Sequence, residues 1–493
     1  MLLCFPLFFH NSYIDILEAK TGFFYVITGI YLIGIVGGSI FLLIHQKKKE
    51  GTQKKRIKII KWSPTDYFAV LFVIASLVSM LMADYKENVF WGIEGKLFGV
   101  FALLLCCGIY MALSHYFQWN TIFFWSCLFG VGSVSVLSVC NRFGMDPLCM
   151  YDKIDSTQIK DYISTIGQIN IVSNYLCIFV PLLMGLFFFT KTKTSKILYG
   201  SGTILGIMAG VCTNSDSFFL GMLMAYFYFW YFAFDSKEKL CDFVLLGSMG
   251  TGALWMLNIL NGWCQYPIEW RNLQMILVSY VPSVFWLICL LIFVFLWIGI
   301  KKKMPDRMEG ALKKGRRILF SLLGVVFLAG IGVIIYGNMT GGTIFPSFIR
   351  EYFIFDDTWG TNRGYVWKRT VKLFGELPLF QKLFGVGPGN FELFFEEYFI
   401  NSMASFGYYF QDAHNEFLQF LVTTGIVGAI GYFGMLITSV LNCMKEKETI
   451  KKVFAIVFLV WIVQGMVNNP IVFTTPYLFL FMGINQIPWE EKD

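Results

Sequence analysis

The chain has 493 residues, of which 56% are hydrophobic, 18% aromatic and only 14% charged. A soluble domain carries about 25% charged residues, so this composition, with a mean hydropathy of +0.62, excludes an ordinary soluble enzyme. The net charge of +7 comes from Lys and Arg gathered between apolar runs, a pattern of membrane topology rather than of a nucleic-acid partner.

The apolar runs are about 18–25 residues long, enough to cross a bilayer core. A β-barrel would show short alternating segments instead. The expectation is an all-α polytopic membrane protein with about 13–14 transmembrane helices. The first nine residues lack a basic n-region and a small-residue cleavage site, so they read as a short first span or a re-entrant start rather than a signal peptide. Spans follow at about 23–45, 66–83, 97–115, 121–140, 171–190, 197–213, 218–234, 241–260, 276–300, 318–337, 413–441, 453–468 and 471–487. The basic runs Lys47-Lys48-Lys49, Lys54-Lys55-Arg56, Lys301-Lys302-Lys303, Lys313-Lys314 with Arg316-Arg317, and Lys445 with Lys447 then all fall on one side. The positive-inside rule makes that side the cytoplasm, and these loops would contact membrane lipids at most.

Most of the twelve cysteines lie inside apolar runs, and no CxxC pairs with histidines, so no zinc site is visible. Cys106-Cys107 reads as helix packing. Cys140, Cys149 and Cys264 fall toward the outer side, which leaves a disulfide there open.

The chain divides into N-terminal transmembrane helices (1–337), one large extracytoplasmic loop (338–412) and C-terminal transmembrane helices (413–493). Long ordered loops tend to carry function. Residues 363–376 read as an amphipathic helix with Asn362 as N-cap. Arg363, Val366, Trp367, Thr370, Phe374 and Leu377 share one face, and Pro378 ends the helix. A second aromatic helix at about 390–400 follows Gly385-Val386-Gly387-Pro388-Gly389. That glycine run lacks the Gly-Lys-Ser/Thr of a phosphate-binding loop and reads as a tight turn. Both helices suit the outer leaflet with their apolar faces down. Arg363 then either snorkels to headgroups or binds a lipid phosphate, whose paired oxygens match a guanidinium fork.

Of four histidines, only His414 adjoins the long loop, in the first turn of the following span beside Asn415 and Glu416. A lone histidine is commonly structural. This position favours reactivity, because imidazole titrates near neutral pH and a helix N-terminus keeps it neutral, as a base must be.

Three stretches carry a resemblance: Arg-Gly-Tyr-Val-Trp at 363–367, Leu-Phe-Gly-Val-Gly-Pro-Gly-Asn-Phe at 383–391, and Asp-Ala-His-Asn-Glu-Phe-Leu-Gln at 412–419 with Gly425-Ile426-Val427-Gly428 after it. The chain resembles the O-antigen ligase and polysaccharide polymerase family. The resemblance implies a GT-C-like membrane glycosyltransferase that needs neither metal nor other cofactor. Its partners would be an undecaprenyl-diphosphate-linked oligosaccharide donor and a glycan or lipid acceptor, met on the outer face of the bacterial cytoplasmic membrane. His414 would be the base for the acceptor hydroxyl, and Arg363 would bind the diphosphate leaving group. Family members often carry an arginine after a serine in a middle span, where this chain has Ser215-Asp216-Ser217. Lys96, Arg142 or Arg271 would then supply the second phosphate contact, with Trp367 and Asn415 completing the candidate substrate-binding set. The motifs do not separate ligase from polymerase. The rival from another class is a lipid-linked glycan flippase or other transporter, which would show repeats, interrupted helices and midplane charges.

Overall fold

The computed structural model describes residues 1–48, 61–266, 268–305, 308–346, 350, 352–446 and 448–488. Lys49, Lys54, Lys55, Arg56, Lys447 and the tail 489–493 lie outside the described residues. Among those described, thirteen helices of ten residues or more lie outside the 338–412 loop. Nine are long and apolar enough to cross a membrane. The other four, Val100–Tyr116, Asp216–Ala233, Thr449–Gly465 and Thr475–Ile484, are shorter or richer in Tyr and Trp and pack among them. The protein is thus an all-α polytopic membrane protein. The only β-structure among the described residues is the antiparallel pair Tyr162–Ile163 and Gly167–Gln168.

Two expected spans change shape. The run at 276–300 begins its long helix at Ser283, because the preceding residues form a short helix and a π-turn, Ile276–Tyr280, that stops before Pro282. The last run narrows to Thr475–Ile484. The N-terminus makes only the turn of helix Cys4–Leu7, and Lys20 ties it down by donating to the Phe5, Pro6 and Phe8 carbonyls. All twelve cysteines are free, so no disulfide joins Cys140, Cys149 or Cys264.

The bundle is organised around Ile169–Phe189, which is buried on all sides by Lys193–Cys212, Asp216–Ala233 and Thr449–Gly465. At its flank, Pro64–Met82 starts at a capping box, in which Ser63 and Asp66 satisfy each other's backbone N–H groups. The same Asp66 accepts from Tyr110 of Val100–Tyr116 at 2.7 Å. Pro64–Met82 also packs against Glu416–Lys445. Gly431 and Gly434 allow this approach: a Cβ at Gly431 would lie 2.7 Å from the Phe72 nitrogen, and one at Gly434 would lie 2.2 Å from the Phe68 ring. Small residues let membrane helices meet closely.

The long loop does not lie flat as an interfacial sheet of helices. Its helices Trp359–Glu376, Leu379–Phe384 and Phe391–Phe406 enclose a core of Tyr365, Val366, Leu373, Phe395, Met403 and Phe410. The expected apolar face is real, since Val366, Thr370 and Leu377 are buried. It faces this core. Asn362 is no N-cap: Gly360, Thr361 and Asn362 have φ of 59°, 60° and 70°, and right-handed helix begins at Arg363.

Glu416–Lys445 is broken at Gly425, whose φ of 70° and ψ of −176° suit glycine alone. The break removes the helical partners of nearby carbonyls, which must be satisfied away from water. The glycine-rich turn of the loop does this. Val386 N–H donates to the Val422 carbonyl at 3.0 Å, and Gly387 N–H to the Thr423 carbonyl at 3.1 Å. Ser79 also donates to Thr423 at 2.8 Å. The approach requires glycine on both sides. A Cβ at Gly385 would lie 2.3 Å from the Thr423 carbonyl, and one at Gly425 would lie 2.3 Å from the Leu383 oxygen. The turn at 385–389 is therefore a latch that fixes the loop to the first nine residues of the broken helix.

Candidate active site

His414 sits at the end of the bundle that carries the loop. It is not in the first turn of the helix. It precedes the N-cap, Asn415, and holds a φ of 46°. Asn415 is consumed in building this corner: its side chain accepts from Leu418 N–H at 3.0 Å and donates to the Met466 carbonyl at 2.9 Å. Glu416, the first helical residue, is buried and accepts from the Trp461 indole at 2.9 Å. Two side chains approach the same nitrogen of the imidazole. Its Nδ1 lies 3.2 Å from Asp412 Oδ1 and 3.3 Å from Asn469 Nδ2. Asp412 Oδ1 also accepts the His414 backbone N–H at 3.0 Å, while Oδ2 pairs with the Lys96 ammonium.

These contacts set the charge states. Asp412 is buried, which alone would raise its pKa, yet Lys96 and His414 hold it well below the usual carboxylate range. Burial lowers the pKa of His414. Asp412 opposes this, and the positive Arg363 and Lys96 add to the lowering. The net direction is downward from the ordinary value, so the imidazole is neutral at neutral pH. A lone pair facing a carboxylate at 3.2 Å would be repelled, so the proton of the neutral ring belongs on Nδ1. Nε2 is then free to accept a proton.

Arg363 is anchored by main-chain carbonyls: Nη1 donates to Gly360 at 2.8 Å and Nε to Val467 at 3.1 Å. The left-handed residues at 360–362 turn the Gly360 carbonyl back onto it. Among the described residues it makes no ion pair. Burial lowers its pKa, and Asp412, Asp216 and Tyr408 oppose that at longer range. The result is a half-buried, fixed guanidinium without a contacting carboxylate, which suits an incoming anion.

One short turn joins these groups. Met466 receives Asn415, Val467 receives Arg363, and Asn469 contacts His414. The sequence shows Asn468-Asn469-Pro470 only as a turn between two apolar runs. Its supporting part is visible once the chain is folded, and so is that of Asp412, two residues from the histidine.

The remaining expected substrate contacts divide. Lys96 is at the site but pairs with Asp412. Asp216 is exposed and within electrostatic reach of Arg363, so the residue standing where an arginine was expected faces the same space. Trp367 turns toward Trp359 and Phe355, with ring centroids 5.3 and 6.1 Å away, and packs on the loop core. Arg142 and Arg271 gather at a neighbouring turn, 212–214. Arg142 Nε donates to the Cys212 carbonyl at 2.7 Å, and Arg271 N–H to Asn214 at 3.3 Å.

Strain also marks this end. Leu97, Asn214, Asn272, Thr361, Asn362 and His414 all have positive φ, and each is one of the charged groups above or lies within two residues of one. Such residues cost about 1–3 kcal/mol each and cluster where structure serves function.

A search of curated proteins finds no match to this chain. A family model described as O-antigen ligase matches residues 272–433, a stretch that includes Arg363, the glycine latch, Asp412, His414 and the break at Gly425. Over that stretch the chain is similar to the O-antigen ligase family.

Proposed function

We propose that the protein transfers glycan from undecaprenyl diphosphate to an acceptor hydroxyl on the outer face of the bacterial cytoplasmic membrane. The family supports a glycosyl-transferring membrane enzyme of polysaccharide biosynthesis. The observation that carries the finer reading is one turn, 466–469, holding a neutral histidine and an unpaired guanidinium together. In the step, His414 Nε2 takes the proton of the acceptor hydroxyl as its oxygen attacks the anomeric carbon. The bond from that carbon to the diphosphate oxygen breaks, and its electron pair leaves on the diphosphate. Arg363 stabilises this growing charge, which is the larger contribution in such sites. Asp412 keeps the imidazole oriented and stabilises the imidazolium that forms.

Arg363, the group assigned to the leaving group, is a cation and supplies the charge stabilisation that a metal could otherwise give; the reaction is proposed to run without one. The outer-face assignment is supported by the basic runs, which under the positive-inside rule favour a cytoplasmic side opposite the loop. Ligase and polymerase chemistry would be the same at this centre and differ only in the acceptor.

Reconstitution with a defined polyprenyl-diphosphate glycan tests the reading. Product is expected with or without chelator, and Arg363→Ala is expected to lower kcat about 100-fold, as loss of one oxyanion contact does. Wild-type kcat in Arg363→Ala would remove the leaving-group assignment, and inactivity with chelator would remove metal independence.

A further inference from the structure

The central helix Ile169–Phe189 closes on Phe187, Phe188 and Phe189, at the end of the bundle away from the candidate active site. Basic runs mark the same end. Lys301 acts electrostatically on Cys241, and Arg316 pairs with Asp235 and lies 4.3 Å from the Tyr231 ring centroid. The positive-inside rule makes this the cytoplasmic end. Three lysines, each from a different neighbouring helix, reach the phenylalanines. Lys196 lies 5.5 Å from the Phe187 ring centroid. Lys239 lies 4.7 Å from that of Phe188 and 4.6 Å from that of Phe189. Lys452 lies 5.9 Å from that of Phe189 and 5.4 Å from that of Phe232. The nearby carboxylates are already matched. Those within electrostatic reach of Lys239 are Asp242 and Asp235. Asp242 pairs with Lys196, and Asp235 with Arg316. Glu238 acts on Asp242 and is exposed. Among the described residues no carboxylate contacts Lys239 or Lys452. Lys239 donates to the Phe188 carbonyl, which uses one of its three ammonium protons. Two ammoniums therefore meet at the Phe189 ring, repel each other, and keep unused donors.

We propose that Lys239 and Lys452, gathered at Phe189, form a headgroup site for an anionic phospholipid of the cytoplasmic leaflet. The lipid phosphate accepts from both ammoniums and removes their repulsion, and the phenylalanine rings give an apolar floor where headgroup meets acyl chain. Basic pockets between membrane helices on the cytoplasmic side take such headgroups. Loose surface lysines attract anionic lipid diffusely. Here the rings and the Phe188 carbonyl fix the ammoniums, so one headgroup is held. The residues involved come from Ile169–Phe189, Asp216–Ala233, Lys237–Trp263 and Thr449–Gly465, so a bound lipid ties four helix ends together and stabilises the bundle. The site lies away from His414 and does not depend on the reaction assigned above.

The test measures lipid retention by native mass spectrometry, and melting temperature, on the full chain stripped of lipid in neutral detergent. The probes are phosphatidylglycerol, phosphatidylcholine and inorganic phosphate. Phosphatidylglycerol is expected to be retained by wild type and to raise its melting temperature, and phosphatidylcholine to do neither. Lys452→Gln is expected to weaken phosphatidylglycerol binding about five-fold, as loss of one lysine facing an anionic lipid does, and the double variant with Lys239→Gln about 30-fold. Lys302→Gln, in the exposed basic run outside the cluster, is expected to leave binding nearly unchanged. Equal losses in Lys302→Gln and Lys452→Gln overturn the site, because the attraction would then be diffuse. Equal retention of phosphatidylcholine and phosphatidylglycerol overturns it as well. Inorganic phosphate that raises the melting temperature as much as phosphatidylglycerol overturns the lipid as occupant. Lys239 also caps the central helix, so if Lys239→Gln fails to fold, Lys452→Gln alone decides.

Discussion

Replacing Asp412 with asparagine removes the charge beside the candidate base and the counter-ion of Lys96. Coulomb's law at 3.2 Å gives about 5 kcal/mol at an effective dielectric of about 20, and about 1.3 kcal/mol at that of water. The lower end applies, because the His414 side chain is 37% exposed and Lys96 offsets much of the Asp412 charge. That amounts to about one pKa unit. The sign follows from the contacts. Asp412 raises the pKa of His414, whereas burial, Arg363 and Lys96 lower it. Asp412→Asn therefore moves the His414 pKa further down. Activity needs neutral His414, so the acid limb of the kcat profile should shift about one pH unit toward lower pH. The plateau should also fall about 10- to 100-fold, since a weaker, less well held base accepts the proton less readily. The assay is glycan transfer in proteoliposomes between about pH 4.5 and 8. An acid limb that stays in place or moves upward refutes the assignment of Asp412 as the charge acting on the base.

Other outcomes follow from the latch and the clamp. Gly425→Ala forces alanine to positive φ and drives a Cβ to 2.3 Å from the Leu383 oxygen. Strain of about 1–2 kcal/mol plus two lost backbone hydrogen bonds at about 1 kcal/mol each predicts a loss of about 3–4 kcal/mol, read as a lower melting temperature in detergent. An unchanged melting temperature would contradict the latch. Arg363→Lys keeps the charge but loses the fork, so kcat should fall about ten-fold, less than in Arg363→Ala; equal losses would mean that charge contributes nothing. Single cysteines at 371 and 398, on exposed parts of the loop, should label from outside intact cells. Labelling only after permeabilisation would overturn the outer-face assignment.

Membrane class and nearly every span are legible in the sequence, because a bilayer imposes one length and one polarity on each helix. The two spans that changed did so at Pro282 and near Pro476, where local backbone chemistry overrides an apolar run. His414 and Arg363 stood out through position and motif. Their shared support did not, because Val467 offers a main-chain carbonyl, and a carbonyl has no sequence signature. The glycines at 385–389 read as a turn, and their second role depended on the break at Gly425, some forty residues away. Helical periodicity gave the apolar face of 363–376 correctly. It did not reveal what the face meets, since a loop core and a leaflet select the same residues.

The central claim is that His414 is the base. Turnover of His414→Ala in proteoliposomes, with donor binding measured alongside, tests it most directly. The account predicts a loss of about 10²–10⁴ in kcat with donor affinity retained. Turnover within a few-fold of wild type would contradict it.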